Sequence, residues 1–301
     1  MQTQYVYRGS WVTLFRPLTL SGTISPILVA TALSAMTGEH ELHLGLFIGM
    51  LVAAICVQIA TNIFNDYFDF ANGQDQDKWT IQKSTEDKHG PLFKQLPFVA
   101  YGFLIIAALI GIWLAIESSF LVLILGAVSI IFGYLYSGGP KPLNSIGFGE
   151  VVAAVFLGLM VTHLTFVVQT NTLNGSVILI SIIFALLIST MILTNNIRDI
   201  QKDRAFRATL ATILGKQRAI HVLILLLVAT YGWTFGLMIV GILPWRTSIV
   251  LLALPFAWQL IHSFRKQGIR EDEIRSMKRA ALHHWTFGLL FACSLWIPLL
   301  F

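Results

Sequence analysis

The sequence predicts an all-α polytopic membrane protein, with nine transmembrane helices in one bundle. The chain has 301 residues and is 56% hydrophobic but only 12% charged, whereas a soluble domain carries about 25% charged residues. Apolar runs of about 17–25 residues recur, and each is long enough to cross ~30 Å of hydrocarbon. The runs are continuous rather than alternating, which excludes an outer-membrane barrel.

The polar breaks between the apolar runs predict the individual helices. In chain order the predicted spans are 18–36, 44–64, 96–116, 120–136, 149–168, 176–194, 219–241, 247–263 and 282–300.

Each span is justified by what borders it. The first follows a polar start that does not resemble a signal peptide, in which Tyr5, Tyr7 and Trp11 are expected to form an interfacial aromatic belt. The second and sixth end in Asn- and Asp-rich segments, and the short breaks "ESS", "QTNTLNG" and "LPWR" separate the third from the fourth, the fifth from the sixth and the seventh from the eighth. The ninth is the last apolar run.

Charge placement predicts the orientation of these spans. With a cytoplasmic N-terminus, all but one of the 20 Lys and Arg residues fall on the inner side, Lys83 and Lys88 among them, and only Arg246 falls outside. Cytoplasmic loops are enriched in Lys and Arg. We therefore expect the N-terminus inside and the C-terminus outside.

A short repeat divides the chain. "TNIFND" at 61–66 and "TNNIRD" at 194–199 share Thr-Asn-x-x-x-Asp at the inner ends of the second and sixth spans. The repeat predicts one domain, 1–301, with parallel four-helix halves at about 10–140 and 145–265 plus an extra helix at about 282–300. Such duplication tends to place a site between the halves.

Helical spacing places the acids of each motif on one face. Asn62, Asp66 and Asp69 follow i,i+4 and i+3 steps, with Asn65 turned away from them. Asn195, Asp199 and Asp203 are spaced i,i+4,i+8. Carboxylates four residues apart repel one another unless a cation neutralises them. Mg²⁺ needs one or two carboxylates and completes its shell with water and phosphate oxygens. The facing acidic ends therefore predict a Mg²⁺-bridged diphosphate, against the alternative of ordinary solvated helix ends.

Basic and polar residues near these ends complete the predicted site. Arg16, Arg198 and Lys202 lie close to the span ends and are candidate phosphate ligands. Arg204 and Arg207 also lie beside the second acidic motif. Lys141, in "GGPKPL", is a further candidate for phosphate or an acceptor carboxylate, although a simple turn also explains that segment. Glu150 is a candidate acceptor-side group. The aromatic residues Phe64, Tyr67, Phe68 and Tyr134 are candidates to stabilise an allyl cation.

The chain resembles the UbiA-type intramembrane prenyltransferases. Its closest similarity is to the branch that prenylates 1,4-dihydroxy-2-naphthoate in menaquinone synthesis. The segments that carry the resemblance are "NDYFDFANGQD" (65–75), "YSGGPKPLNSIGFGE" (136–150), "VVQT" (167–170) and "NNIRDIQKDR" (195–204).

The resemblance implies a function and a ligand set. Asp66, Asp69, Asp199 and Asp203 would be catalytic and, with Asp75, would hold Mg²⁺; Asn62, Asn65 and Asn195 would help to bind substrate. The implied reaction transfers a polyprenyl group from polyprenyl diphosphate to 1,4-dihydroxy-2-naphthoate, with release of pyrophosphate and CO₂. The implied location is a bacterial inner membrane, and no nucleic acid is expected as a partner.

Three other functions are alternatives to this one. A transporter would place ionisable groups near the bilayer midplane, whereas these acids cluster at cytoplasmic helix ends. Another aromatic acceptor of the 4-hydroxybenzoate type stays an alternative. So does a catalytically weakened homologue that binds a lipid diphosphate, since "DRAFRATLATILG" (203–215) and the loop around "TEDKHGPL" (85–92) depart from the family pattern.

Overall fold

The protein is a helical bundle with one small sheet, as described by a computed structural model for residues 4–37, 42–82, 90–264 and 270–300. Lys83 and Lys88, assigned above to an inner loop, lie outside these residues, as does much of "TEDKHGPL". The helices are α1 (Trp11–Phe15), α2 (Ser21–Met36), α3 (Leu44–Ala71), α4 (Leu96–Glu117), α5 (Phe120–Leu135), α6 (Gly149–Ala153), α7 (Val161–Thr170), α8 (Gly175–Arg198), α9 (Ile200–Asp203), α10 (Leu210–Leu214), α11 (Lys216–Ile239), α12 (Leu254–His262) and α13 (Arg270–Leu300). A π-helical segment, Ala154–Met160, joins α6 to α7, and 3₁₀ segments span Pro17–Leu20, Gln76–Lys78, Phe93–Gln95, Leu143–Ser145 and Trp245–Ala253.

Seven helical segments within the described residues are long and apolar enough to cross a membrane, by length and composition. The predicted span 120–136 corresponds to α5, which has 16 residues. The predicted span 247–263 corresponds to the 3₁₀ segment Trp245–Ala253 followed by α12. The multi-pass helical architecture is therefore confirmed, while the count of nine and the two parallel halves stay predictions.

Helix pairs that bury apolar side chains hold the bundle together. α3 packs along α4, α8 along α11, and α13 along both α2 and α8. Phe184 of α8 and Phe287 and Phe291 of α13 are fully buried in one shared core. α13 begins at Arg270, well before the predicted start at residue 282. The prediction missed its first turns because they are amphipathic, and it searched for continuous apolar runs.

The two strands were not predicted. β1 (Tyr5–Tyr7) pairs antiparallel with β2 (Trp79–Ile81), with Tyr7 opposite Trp79. Tyr7 is buried, and its ring centroid lies 5.2 Å from that of Trp79. The expectation of an interfacial aromatic belt was therefore wrong for Tyr7, which ties the N-terminal segment to the loop that follows α3.

The cytoplasmic end predicted for the second span lies on a helix longer than the bilayer requires. α3 has 28 residues, about 42 Å at 1.5 Å per residue, against ~30 Å of hydrocarbon. Its last turns, which carry Asp66 and Asp69, can therefore project beyond the apolar region. After α3 the chain turns sharply, with positive φ at Gly73 (84°) and Asp75 (51°); glycine adopts such angles without strain.

The second acidic motif lies on a broken helix. α8 ends at Arg198, and Asp199, with φ −99° and ψ 9°, connects it to α9. The helix is therefore interrupted at Asp199, but the backbone N–H groups of Asp199 and Asp203 still donate to the carbonyls of Asn195 and Asp199 at 3.0 and 2.9 Å. The single face through residues 195, 199 and 203 stays a prediction. The π-helical segment lies against α8 so closely that a Cβ on Gly158 would come within 2.4 Å of Ala185 Cα.

Candidate active site

A cavity of about 360 Å³ lies among α2 to α8 and reaches the acidic ends of α3 and α8. Most of its wall is apolar, supplied by residues such as Leu114, Val122 and Phe156. Polar side chains converge at one end of it. These are Arg16, Asn62, Asn65, Tyr136, Asn144, Asn195, Asn196 and Arg207. The cavity therefore offers a long apolar compartment with a polar terminus.

Arg16 connects the N-terminal segment to the first acidic motif. Its backbone is in the left-handed region, with φ 53° and ψ 60°, between α1 and the 3₁₀ segment that follows. Its Nη2 donates to Asn65 Oδ1 at 2.9 Å and to Asp66 Oδ2 at 2.8 Å. Asn65 also donates from Nδ2 to Ser137 Oγ at 3.1 Å. The prediction that Asn65 turns away from the site was therefore wrong.

Lys78 lies between two carboxylates. Its Nζ donates to Asp66 Oδ1 at 2.7 Å and forms an ion pair with Asp75 Oδ2 at 2.6 Å. Lys202, in α9 between Asp199 and Asp203, forms an ion pair with Asp75 Oδ1. Burial would raise the pKa of Asp75, but the two ammonium groups outweigh it and hold that pKa at about 2. Asp75 therefore joins the loop after α3 to the loop after α8.

Arg207 makes a second connection between the two motifs. Its Nε donates to Asp203 Oδ1 at 2.9 Å, and its Nη1 lies 3.6 Å from Asp69 Oδ1. Burial raises the pKa of Asp203 above its ordinary value, against the lowering effect of the Arg207 guanidinium. Asp203 Oδ2 is buried and has no hydrogen-bond partner among the described residues.

Asp199 is paired locally. Arg198 donates from Nε to Asp199 Oδ1 at 2.8 Å, and its Nη2 contacts both Asp199 Oδ2 and Asn195 Oδ1, the latter at 2.7 Å. Asn195 lines the cavity. These three predicted residues therefore form a compact group beside the larger ion-pair network.

Three other predicted residues, Asn62, Tyr134 and Lys141, lie in different surroundings. Asn62 lines the cavity and donates from Nδ2 to the Phe15 carbonyl at 3.0 Å, which anchors the turn before Arg16. Tyr134 packs its ring against Phe64 and Phe68, with centroids 5.4 and 5.7 Å apart, and is not among the cavity-lining residues of the described chain. Lys141 is exposed, with no hydrogen bond or ion pair to any described residue.

Four residues of the site escaped the sequence reasoning: Lys78, Tyr136, Asn144 and Asn196. Lys78 is three residues from Asp75, a spacing that could have indicated the pair. Asn196 directly follows the predicted Asn195, and its Nδ2 donates to Glu150 Oε1 at 2.7 Å. Tyr136 and Asn144 lie in the segment that carried the resemblance. Motif spacing singled out the acids but not the polar groups that face them.

The donor set fits a divalent cation bound together with a diphosphate. Among the residues that the structure describes, no three His, Cys, Asp or Glu side chains converge to hold a metal by themselves. Mg²⁺ does not require this, since it takes one or two carboxylates and fills its shell with water and substrate oxygens. Asp203 Oδ2, buried and unpartnered, is an oxygen suited to that coordination.

Comparison with known proteins identifies a family. The sequence model of the UbiA prenyltransferase family matches residues 23–287. The chain is 35% identical over 289 residues to the 1,4-dihydroxy-2-naphthoate octaprenyltransferase of Bacillus subtilis, covering 94% of this chain and 91% of the relative. It is 29% identical to the protein of the same name from Haemophilus influenzae, covering 81% and 82%.

Solved structures share the fold. A UbiA homologue from Archaeoglobus fulgidus, solved bound to DMAPP and Mg²⁺, superposes with a TM-score of 0.64 at 12% identity, covering 94% of this chain and 99% of that one. At this level of identity the likeness establishes the fold alone.

Proposed function

This chain belongs to the UbiA prenyltransferase family, and we propose that it transfers a polyprenyl group from polyprenyl diphosphate to 1,4-dihydroxy-2-naphthoate. The products are demethylmenaquinone, in its reduced form, pyrophosphate and CO₂. The observation that carries the proposal is the cavity, whose apolar length ends at Arg16, Asn65, Asn195 and Arg207 beside two acidic helix ends. The choice of a naphthoate acceptor is supported by the names of the relatives.

The polar end of the cavity is assigned to the diphosphate. Arg16 and Arg207 line the cavity and present guanidinium groups, which bind phosphate oxygens in bidentate fashion. Lys78, Arg198 and Lys202 add positive charge from the surrounding network. These groups stabilise the negative charge that develops on the leaving diphosphate.

The carboxylates are assigned to the metal. Asp66, Asp69 and Asp75 from the first motif and Asp199 and Asp203 from the second would hold Mg²⁺ against the diphosphate. When bound, Mg²⁺ supplies Lewis-acid stabilisation of the departing pyrophosphate. Asn62 holds the turn before Arg16 by donating to the Phe15 carbonyl. Asn195 accepts a hydrogen bond from the Arg198 guanidinium and so orients that side chain.

The apolar wall of the cavity is assigned to the polyprenyl chain and the allyl cation. It accommodates the polyprenyl chain and excludes water from the allyl cation that forms as the C–O bond breaks, with the bonding electrons leaving on the diphosphate. A ring carbon of the acceptor then forms the new C–C bond. The carboxyl group leaves as CO₂ and returns its electron pair to the ring. Phe132 and Phe156 line the cavity and are stacked, with centroids 4.7 Å apart, so they replace Tyr134 as the aromatic candidates for cation stabilisation.

The proposed location is a bacterial cytoplasmic membrane, with the N-terminus inside. The charge asymmetry of the loops supports this orientation. In a variant lacking Cys56 and Cys293, a cysteine replacing Lys141 should react with an impermeant thiol reagent only in inverted vesicles. A cysteine replacing Arg246 should react only in intact cells, and the reverse pattern would overturn the orientation.

The function is tested by pyrophosphate release from the purified chain. With a polyprenyl diphosphate, Mg²⁺ and a panel of aromatic acceptors, release should require 1,4-dihydroxy-2-naphthoate and should stop on addition of EDTA. Prenylation of 4-hydroxybenzoate instead would show that the acceptor is of the 4-hydroxybenzoate type and not a naphthoate. Binding of the diphosphate without release, with every acceptor, would identify a catalytically weakened homologue.

A further inference from the structure

A buried acid–amide pair lies at the polar end of the cavity, apart from the ion-pair network. Glu150 opens α6 and is 6% exposed, and Asn196 in α8 is 8% exposed. Asn196 Nδ2 donates to Glu150 Oε1 at 2.7 Å. Asn196 itself and Gly149, the residue before Glu150, both line the cavity. The amide therefore stands between the acid and the space where substrates bind.

Glu150 retains an unused acceptor. Its Oε2 is buried, with no hydrogen-bond partner among the described residues, and salt bridges of the described chain do not include it. A buried carboxyl oxygen without a partner is costly. Such a group is retained where it has a task that apolar packing could not perform.

The carboxylate dictates how the Asn196 amide is oriented. An ionised carboxylate only accepts hydrogen bonds, so the amide must present its NH₂ to Glu150. The Asn196 carbonyl oxygen, Oδ1, is then the atom left for a ligand. No described residue donates to that oxygen, and Asn196 lines the cavity. The pair therefore offers a fixed hydrogen-bond acceptor.

Tyr136 adds a second polar group beside the first. It lines the cavity, and its hydroxyl lies 3.5 Å from the position that a Cβ on Gly149 would occupy. Its carbonyl accepts from the backbone N–H of Asn144 at 3.0 Å, which fixes the turn after α5. Its hydroxyl makes no hydrogen bond to a described residue. A phenol can donate or accept, so it complements the acceptor offered by Asn196.

These groups share one cavity with the proposed diphosphate ligands. Arg16, Asn65 and Arg207 line the same space. Glu150 and Arg207 are among the charged groups of the described chain that lie close enough to Tyr136 to interact with it electrostatically. A ring held by Asn196 and Tyr136 would thus lie within the compartment where the allyl group is released.

We propose that Asn196 and Tyr136 form the subsite for the hydroxylated aromatic acceptor, with Glu150 as the positioning residue that orients the Asn196 amide. Asn196 Oδ1 accepts a hydrogen bond from a ring hydroxyl, which raises electron density on the attacking ring. Tyr136 hydrogen-bonds a second acceptor oxygen. This inference rests on the proposed function, because it presumes an aromatic acceptor that bears a hydroxyl group.

The test uses the full purified chain with Mg²⁺ and a polyprenyl diphosphate. Initial rates are measured against 1,4-dihydroxy-2-naphthoate and against an ether in which one ring hydroxyl is methylated and cannot donate. Asn196→Ala should lower kcat/KM for the dihydroxy acceptor about tenfold and should abolish the wild-type preference for it over the ether. Glu150→Gln should act in the same direction, and Tyr136→Phe, which removes only the hydroxyl, should raise the acceptor KM. The KM for polyprenyl diphosphate should not change.

A double-mutant cycle separates positioning from a direct contact. If Glu150 acts through Asn196, the double variant Glu150→Gln/Asn196→Ala should be no worse than Asn196→Ala alone. Additive effects would overturn the positioning role, and a retained preference for the dihydroxy acceptor in Asn196→Ala would overturn the contact. Glu273→Gln, which alters a shielded acid of α13 outside the cavity, should leave the acceptor KM unchanged.

The outcome also distinguishes this subsite from the proposed function. A wild-type chain that prenylates no hydroxylated acceptor would refute the function itself. A wild-type chain that does so, with variants indistinguishable from it, would refute only the subsite. Should Asn196→Ala fail to fold, the comparison of Tyr136→Phe with the wild type still decides whether this wall contacts the ring.

Discussion

The two acidic helix ends differ in where their counter-ions come from. Asp66, at the end of α3, is 1% exposed and is neutralised by Arg16, from the start of the chain, and by Lys78, from the loop. Asp199, at the end of α8, has a side chain 19% exposed and is neutralised by the adjacent Arg198. Equivalent motifs therefore have different neighbourhoods, one assembled from distant segments and one from its own sequence.

This difference separates the structural from the chemical contribution of each motif. Removing the Asp66 charge leaves Arg16 without its carboxylate, while Lys78 keeps its ion pair with Asp75. Removing the Asp199 charge frees a guanidinium that is already 25% exposed and can turn to water. The two motifs should therefore contribute unequally to the stability of the folded protein, while both are required for transfer.

Asp66→Asn should have the largest effect. The variant should lose transfer activity by about a thousandfold, the upper range for removing one charge-stabilising group. It should also lower the free energy of unfolding by about 2 kcal/mol, because Arg16 loses its carboxylate. The loss stays below that of a fully buried pair, since Arg16 is one third exposed and Lys78 keeps Asp75. Single-turnover rates and denaturant unfolding in detergent measure both quantities.

Asp199→Asn should fall between the extremes. Transfer should drop about a hundredfold, whereas stability should change by less than about 1 kcal/mol because the pair with Arg198 is partly exposed. The same two assays apply. Equal losses of stability in Asp66→Asn and Asp199→Asn would show that the buried surroundings of Asp66 contribute no more to stability than the local pair of Asp199.

Lys202→Met should have the smallest of the three effects. It removes the ion pair with Asp75 that joins the two loops, and the KM for polyprenyl diphosphate should rise about tenfold, as for the loss of one charge-assisted contact. Stability should barely change, since Lys202 is 40% exposed. Lys141→Met is the matched control: Lys141 is exposed and makes no hydrogen bond or ion pair to any described residue, so both the KM and stability should match the wild type.

Sequence alone located the helices and the acids for physical reasons. Uninterrupted apolar runs mark helices in a bilayer irrespective of their partners, and α3 and α8 end close to the polar breaks that predicted their ends. The i,i+4 spacing of Asn62 and Asp66 is sufficient to place them together when the helix is continuous. Features local to one helix were therefore predictable.

Contacts between distant segments were not predictable. The pairing of Tyr7 with Trp79 brings β1 beside Lys78. A three-residue strand is too short to show a periodicity from which this pairing could be predicted. The choice between Tyr134 and Tyr136 depends on how the chain turns after α5, and the break at Asp199 depends on local backbone angles. Asn65 was misplaced because helical spacing describes one helix and omits Arg16, which approaches from another segment.

Every acid of the site that faces the loops is paired with a base. The acids are Asp66, Asp69, Asp75 and Asp203, and the bases are Arg16, Lys78, Lys202 and Arg207. Asp77 adds a fifth acid through Lys202, and at rest each of these carboxylates is held in an ion pair. Binding of a divalent cation with its diphosphate would then be an ion exchange, in which the carboxylates would hold the cation and the released bases would bind the phosphates. The metal affinity would be the difference between the bonds gained and the ion pairs broken. Chelation should consequently leave a folded, reloadable protein whose activity returns when the ion is restored.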